Sequence, residues 1–281
     1  MENIIKKVWY VALIWRPNSW KSTFINALVD EKVSIVSPKP QTTQKCIRWI
    51  YNDDDSQIIF FDTPWVNEWS EEFFEHLKQR VVDSLNSADL IVRFIDSTRD
   101  SWREEEIIYD IVKASKKEVI EVYSKCDISK KEPKEWEICI ESTNKTGFDK
   151  LLSEIKSRLC EWPLYYDEDY YTDQDYETRI AEIIREKIFM DFFDEVPYSV
   201  FVEIGDIEDT PTLLRIQAYI YTESDSQKKI IIGKWWQQLT NIWRLSRLEL
   251  EVIYWRKIFL ALRVKVLPKW KKNKKLLNKL Y

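Results

Sequence analysis

Along the first 160 residues, short apolar β-branched runs alternate with longer segments whose apolar positions recur every three to four residues. Lys7–Ile14, Cys46–Tyr51, Gln57–Asp62, Leu90–Asp96 and Val119–Ser124 read as strands. Lys21–Val29, Glu72–Leu85, Glu104–Ala114 and Phe148–Cys160 carry helical spacing. This alternation predicts an α/β fold, a mostly parallel sheet with helices on both faces. Such sheets hold their ligands at the carboxyl ends of the strands. Near Trp162 the pattern breaks into PLYYDEDYYTDQDYE, acidic, tyrosine-rich and without periodicity, which reads as a linker. A different order follows: helix Tyr176–Phe192, strands Ser199–Gly205 and Leu213–Tyr221, two helices, strand Lys257–Val266 and a last helix. The expected division is a first domain over 1–162, a linker over 163–175 and an α+β domain over 176–281.

Composition narrows the class. With 44% hydrophobic and 32% charged residues in 281, the chain reads as soluble and globular. No apolar run approaches the roughly 20 residues of a membrane span. Val8–Trp15 follows lysines but leads into charge and not into a cleavage site, so it reads as a buried strand. Cys46, Cys126, Cys139 and Cys160 form no CxxC pair, which argues against metal or disulfide use and fits a reducing cytoplasm. His76 reads as a solvated helix residue. Charge is uneven: Ser226–Tyr281 holds 15 Lys and Arg against two Glu, a net of +13 in a chain of net −5. A basic C-terminal module on an acidic carrier points to a polyanionic partner; a merely solvated lysine-rich end is the plainer reading.

Three stretches carry chemistry in the first domain. Directly after the first strand stand Trp15, Arg16, Pro17, Asn18, Ser19, Trp20, Lys21, Ser22 and Thr23. With glycine for both tryptophans this is GxxxxGKS, the phosphate loop, in its required strand–loop–helix setting. There backbone N–H groups wrap the phosphates, Lys21 would contact the β- and γ-phosphates, and Ser22 would ligate magnesium. The helix that follows aims its positive end at the anion. Asp62–Thr63–Pro64–Trp65 ends another strand and matches DxxG except at its last residue. Asp62 would hold magnesium through water, and the N–H of residue 65 would bond the γ-phosphate. Ser124–Lys125–Cys126–Asp127 resembles the guanine motif NKxD. Asp127 would accept from two guanine N–H donors that adenine lacks, selecting GTP over ATP, while Lys125 lies along the base. Glu141–Ser142–Thr143 stands where such proteins place the loop that meets the guanine carbonyl.

In the C-terminal part, Ile232, Gly233, Lys234, Trp235 and Trp236 lie between two predicted helices. With glycine at the last two positions they form the GxxG loop of a KH domain, which clamps a single-stranded nucleic-acid backbone by close approach. The order helix–strand–strand–helix–helix–strand agrees with the type II KH arrangement.

Over essentially its whole length the chain resembles the Era family, bacterial GTPases with a C-terminal KH domain. The resemblance rests on WRPNSWKST, VSIVSPKPQTTQ, FFDTPW, SKCD, EIIREKI, EVPYSV, DSQKKIIIGKWW and LRVKV. It implies Thr43 as a further magnesium ligand, beside Lys21, Asp62 and residue 65 in the catalytic centre. It also implies a potassium ion held beside the phosphates by Asn18. Val66 follows DxxG, so no side chain there orients water as a glutamine would, and slow hydrolysis is implied. Further implications are binding near the 3′ end of small-subunit ribosomal RNA, assistance to small-subunit assembly, and a monomer. The expected location is cytoplasmic, with peripheral contact on the inner face of the membrane. Ser124 departs from the family's asparagine and loses an amide that braces base and loop, a bond of about 1 kcal/mol.

Two counts remain abnormal: 3 glycines, where roughly 20 are usual, and 14 tryptophans. Trp15, Trp20, Trp65, Trp235 and Trp236 stand where the family has glycine, and the resemblance extends this to Trp9, Trp49, Trp102, Trp162 and Trp243. Glycine serves there because the backbone takes positive φ or touches the ligand; indoles are expected to fill the phosphate space. One reading is a degenerate, nucleotide-free RNA-binding scaffold. The other is a gene in which UGA encodes glycine but is read as tryptophan. Trp270, after LRVKV, is expected to be a true tryptophan.

Overall fold

The computed structural model describes residues 5–15, 21–29, 48–62, 81–98, 103–129, 134–192, 195–273 and 276. The chain divides into two compact units, the described part of the first ending at Asp173.

The first unit runs β1 (Ile5–Ile14), α1 (Lys21–Val29), β2 (Arg48–Asn52), β3 (Ser56–Asp62), α2 (81–87) and β4 (Leu90–Asp96). It continues with α3 (Arg103–Ser115), β5 (Glu118–Ser124), β6 (Ile138–Ile140), α4 (Phe148–Lys156) and β7 (Glu161–Pro163). Among the described residues these strands form one sheet in the order β2-β3-β1-β4-β5-β6, with β7 antiparallel on β1. From β3 to β6 every neighbouring pair is parallel, and only β2 on β3 is antiparallel along that path.

Strand β1 shows why the sheet is covered twice. Successive side chains alternate faces, so Val11 and Leu13 enter one core with Phe24 and Ile25 of α1 and Phe148, Leu151 and Ile155 of α4. Ala12 and Ile14 enter the other, with Val81 and Leu85 of α2 and Ile108 and Val112 of α3. A strand buried on both sides reads as a continuous apolar run.

The stretch 163–173, aperiodic in sequence, is tied down along the outer strands. Tyr165 and Tyr166 N–H donate to Gln57 Oε1 at 2.9 and 3.1 Å, and Gln57 Nε2 returns a bond to Tyr166 O at 2.9 Å. Asn52 Nδ2 donates to the carbonyls of Glu168 and Tyr170. Ile50 N–H donates to Tyr171 O at 3.1 Å, and Trp49 forms an antiparallel bridge with Thr172.

The second unit runs α5 (Tyr176–Asp191), β8 (Phe201–Asp209), β9 (Leu213–Thr222), α6 (Asp225–Ile232), α7 (Gln237–Tyr254) and β10 (Lys257–Val266). Its sheet, order β10-β9-β8, pairs β10 parallel and β8 antiparallel to β9. One face is buried: Leu214, Ile216, Ala218 and Ile220, two apart on β9, meet Ile180, Ile184 and Ile188 of α5 and Ile242 and Leu250 of α7. Asp175 caps α5 by accepting from Thr178 N–H at 2.6 Å. Ser224 and Gln227 form a reciprocal capping box on α6. The order αββααβ is the type II KH order.

Candidate nucleotide site and nucleic-acid loop

In the first unit the parallel strands end in a row. Leu13 pairs with Asp62 on one side and with Val92 on the other; Asp96 pairs with Ser124, and Ser124 with Ile140. The chain thus leaves β1 toward the phosphate loop beside the end of β3, and the loops after β4, β5 and β6 follow along the same rim. Lys21, Ser22 and Thr23 form the first turn of α1, where unpaired N–H groups and the helix dipole favour an anion. Arg16, Pro17, Asn18, Ser19 and Trp20 lie outside the described residues, as do Thr43, Thr63, Pro64, Trp65, Val66, Cys46 and His76.

Trp15 belongs to the core that α1 and α4 cover. Its indole is 4% exposed and turns into the core. It stacks on Phe94 with centroids 3.5 Å apart and planes at 5°, and tilts against Phe24 at 5.6 Å. Near face-to-face stacking at that separation is closer than aromatic pairs prefer. Its Nε1–H is buried with no hydrogen-bond partner among the described residues. The misfit at Trp15 is therefore crowding and, among the described residues, an unpaired donor inside the core.

The guanine end is tightly framed. Lys125 adopts φ 62°, and its Nζ donates to Asp96 Oδ2 at 2.6 Å. The side chains of the pair are 10% and 6% exposed. Burial pushes the Asp96 carboxyl up, but Lys125 and the Thr98 donors outweigh it and hold the group below the ordinary carboxylate range. Thr98 N–H and Oγ1 donate to Asp96 Oδ1 at 3.0 and 2.5 Å. Ser97 N–H and Oγ donate to Ser124 O at 3.1 and 2.7 Å, and Ser124 Oγ donates to Ile95 O at 3.2 Å. Ser124, in place of the family's asparagine, thus ties the ends of β4 and β5 together. Asp127 follows in the turn and is exposed. Burial, then the neighbouring Cys139, pushes the Cys126 thiol up to about 12.

The loop Glu141–Thr146 is closed on itself by Glu141 N–H donating to Thr146 O at 3.1 Å. Within it Ser142 is buried and Thr143 exposed. Gly147, at φ 78°, turns the chain from this loop into α4; a Cβ there would lie 1.9 Å from Cys139 O. Sequence reasoning named the motif residues here but missed Asp96 and Thr98. The available signal was the aspartate ending LIVRFID beside a second strand ending in SK.

In the second unit α6 stops at Ile232. Gly233 (φ 73°), Lys234, Trp235 (φ 57°) and Trp236 (φ 65°) then lead into α7. Ile232 is half-buried, whereas Lys234, Trp235 and Trp236 project into solvent. An exposed cation and short backbone between two helix ends suit a phosphodiester chain.

Fold and site together define a P-loop GTPase domain followed by a type II KH domain. The family model for a 50S ribosome-binding GTPase matches residues 10–125, and that for a KH domain matches residues 195–271. GTPase Era of Thermotoga maritima is 40% identical over 279 residues, covering 94% of this chain and 93% of that protein. GTPase Era of Caldanaerobacter subterraneus is 39% identical over 286 residues, covering 96% of each. A crystal structure of Era with MgGDPNP and nucleotides 1506–1542 of 16S ribosomal RNA aligns at TM-score 0.91 and 34% identity over 98% of each chain. One of an Aquifex aeolicus Era variant bound to GDP·AlF4− aligns at 0.90 and 35% over the same share of each. The chain belongs to the Era family of GTPases.

Proposed function

We propose that this chain binds GTP with Mg2+, hydrolyses it slowly to GDP, and uses that cycle to govern a KH grip on small-subunit ribosomal RNA during subunit assembly. The observation that carries this reading is the match of both domains at once to a relative holding MgGDPNP and 16S RNA. The model for the GTPase domain alone is described as 50S-binding; the small-subunit reading follows the full-length relative, which includes the RNA-binding part. The donor set fits magnesium: two hydroxyls and a carboxylate, Ser22, Thr43 and Asp62, are hard oxygens. Backbone register sets the end of β3 at Asp62 beside the end of β1, from which the phosphate loop departs. When bound, the ion would neutralise charge on the β- and γ-phosphates. Of the chain's own residues, Lys21 would contact those phosphates, the α1 amides would hold the anion, Asp127 would select guanine, and Lys125 would lie along the base. With Val66 after DxxG, no glutamine orients the attacking water, which supports slow turnover and a switch-like role. Potassium beside the phosphates rests on Asn18. A cytoplasmic monomer touching the membrane peripherally rests on family resemblance.

Binding of fluorescent GTP and ATP analogues, GTP turnover in potassium against sodium, and retention of an RNA from the 3′ end of small-subunit ribosomal RNA test these readings. The chain as written and the Trp15→Gly/Trp20→Gly/Trp65→Gly form should be compared. GTP-selective binding and RNA retention by the triple variant are expected. RNA retention with no nucleotide binding in that variant would favour the nucleotide-free scaffold.

A further inference from the structure

Nine described residues adopt φ between 52° and 78°: two glycines, four lysines and three tryptophans, Trp235, Trp236 and Trp255. In this region the Cβ crowds the carbonyl oxygen, at a cost that only glycine escapes. Exposed Lys116, Lys145 and Lys269 bear that cost too, so positive φ alone does not mark a glycine site. What sets Trp235, Trp236 and Trp255 apart is position, two in the GxxG loop and one at a helix end, with no packing to offset the strain at 81%, 62% and 91% exposure. Trp255 occupies the C-terminal cap of α7, directly after Tyr254, where a left-handed glycine commonly ends a helix. Motif resemblance did not single this position out; its backbone does.

Trp15 fails differently, with a buried Nε1–H that has no partner among the described residues and a ring pressed on Phe94. Trp270 shows what a site built for indole looks like. It is 1% exposed, its Nε1 donates to Ser199 O at 3.0 Å, and its ring meets Phe201 edge-on at 4.8 Å. Trp243 also donates, to Leu260 O at 2.7 Å, yet lies 36% exposed on α7, and its geometry assigns neither residue. Decay of an abandoned site would scatter many residue types over the glycine positions of the motifs; at 15, 20, 65, 235 and 236 tryptophan recurs each time.

We infer that residues 15, 235, 236 and 255 are glycine in the protein made by its own cell, encoded by UGA, whereas Trp270 is tryptophan encoded by UGG. One letter thus stands for two amino acids. Decoding UGA as glycine requires a transfer RNA with a UCA anticodon that is charged with glycine. The motif positions 20 and 65 are expected to carry the same codon.

Sequencing the gene, with peptide mass spectrometry of the protein from its native cells, tests this directly. UGA at codons 15, 235, 236 and 255, UGG at 270, and glycine masses in the corresponding peptides are expected. UGG at 235, 236 or 255, or a tryptophan mass there, overturns it. An independent check uses Trp235→Gly, Trp236→Gly and Trp255→Gly in the full chain. The unfolding midpoint of the C-terminal unit should rise by about 4–8 °C for each strained site relieved, and loss of stability in all three would count against the inference. Because codons and midpoints do not involve GTP or RNA, the inference can fail while the proposed function stands.

Discussion

Replacing Asp96 by asparagine removes one negative charge and almost no volume, so it isolates what holds Lys125. The lost contact is a charge-assisted bond of 2.6 Å between side chains 10% and 6% exposed. Such bonds contribute about 1.5–3 kcal/mol, and removing one partner of a fully buried pair costs about 3–5 kcal/mol. Asparagine keeps an oxygen for Thr98, and the Lys125 side chain, 10% exposed, keeps some contact with solvent. The expected loss is therefore about 2–3 kcal/mol at neutral pH. The pH dependence carries the sign. The folded carboxyl titrates below its ordinary value, so its stabilisation is present above about pH 3.9, the unfolded value. It fades as the pH falls through the lower folded value. Urea unfolding between pH 2 and 7 (roughly the window set by that shift), with hydrogen exchange of the β4 and β5 amides, gives the comparison. The two proteins should differ most at neutral pH and converge in acid. A difference below about 0.5 kcal/mol at pH 7, or two parallel pH profiles, would refute the reasoning.

Three other outcomes follow from the same rim. Asp127→Asn, in a chain carrying glycine at 15, 20 and 65, should weaken GTP binding by about 10-fold or more, since one of the two charge-assisted acceptors becomes a donor. It should at the same time improve binding of xanthosine triphosphate, whose ring offers an oxygen to that donor; titration with both nucleotides checks it. Gly147→Ala should destabilise the first unit by about 2 kcal/mol or more, because φ is 78° and the new Cβ would meet a backbone oxygen; urea unfolding within about 0.5 kcal/mol of the parent would contradict this. Cys126, its thiol pushed up to about 12, should resist alkylation in the folded chain at pH 8 while exposed Cys160 reacts, as peptide mapping would reveal.

Legibility in sequence tracked how each element is held. The helix Lys21–Val29 and the strands Leu90–Asp96 and Lys257–Val266 fall where periodicity sets them, because apolar burial fixes their faces. Strand β6 escaped because three residues, Ile138–Ile140, are too few to show a period. Strand β7 escaped because Glu161–Pro163 is exposed along its length and gains its place from backbone pairing with β1. The helix expected from Glu72 is seen over 81–87, its earlier part lying outside the described residues. At the site, the residues named by motif were legible because ligand chemistry restricts their types. The bond between Asp96 and Lys125 was not, since it depends on the register of β4 against β5, which local pattern does not encode.

The stretch between β7 and α5 has a consequence for colony and test tube alike. Among the described residues strand β2 lies at the end of the strand order, and an open edge of that kind recruits extended segments of other molecules. Here Tyr171, Thr172 and Asp173 occupy it: Tyr171 O accepts from Ile50, Thr172 Oγ1 and Asp173 N–H donate to Arg48 O, and Asp173 Oδ1 accepts from Arg48 N–H. A connector that looked like slack chain thus takes up hydrogen-bonding groups of β2 that an extended segment of another molecule would otherwise meet. Cutting or shortening it to free the first unit would expose the edge it covers.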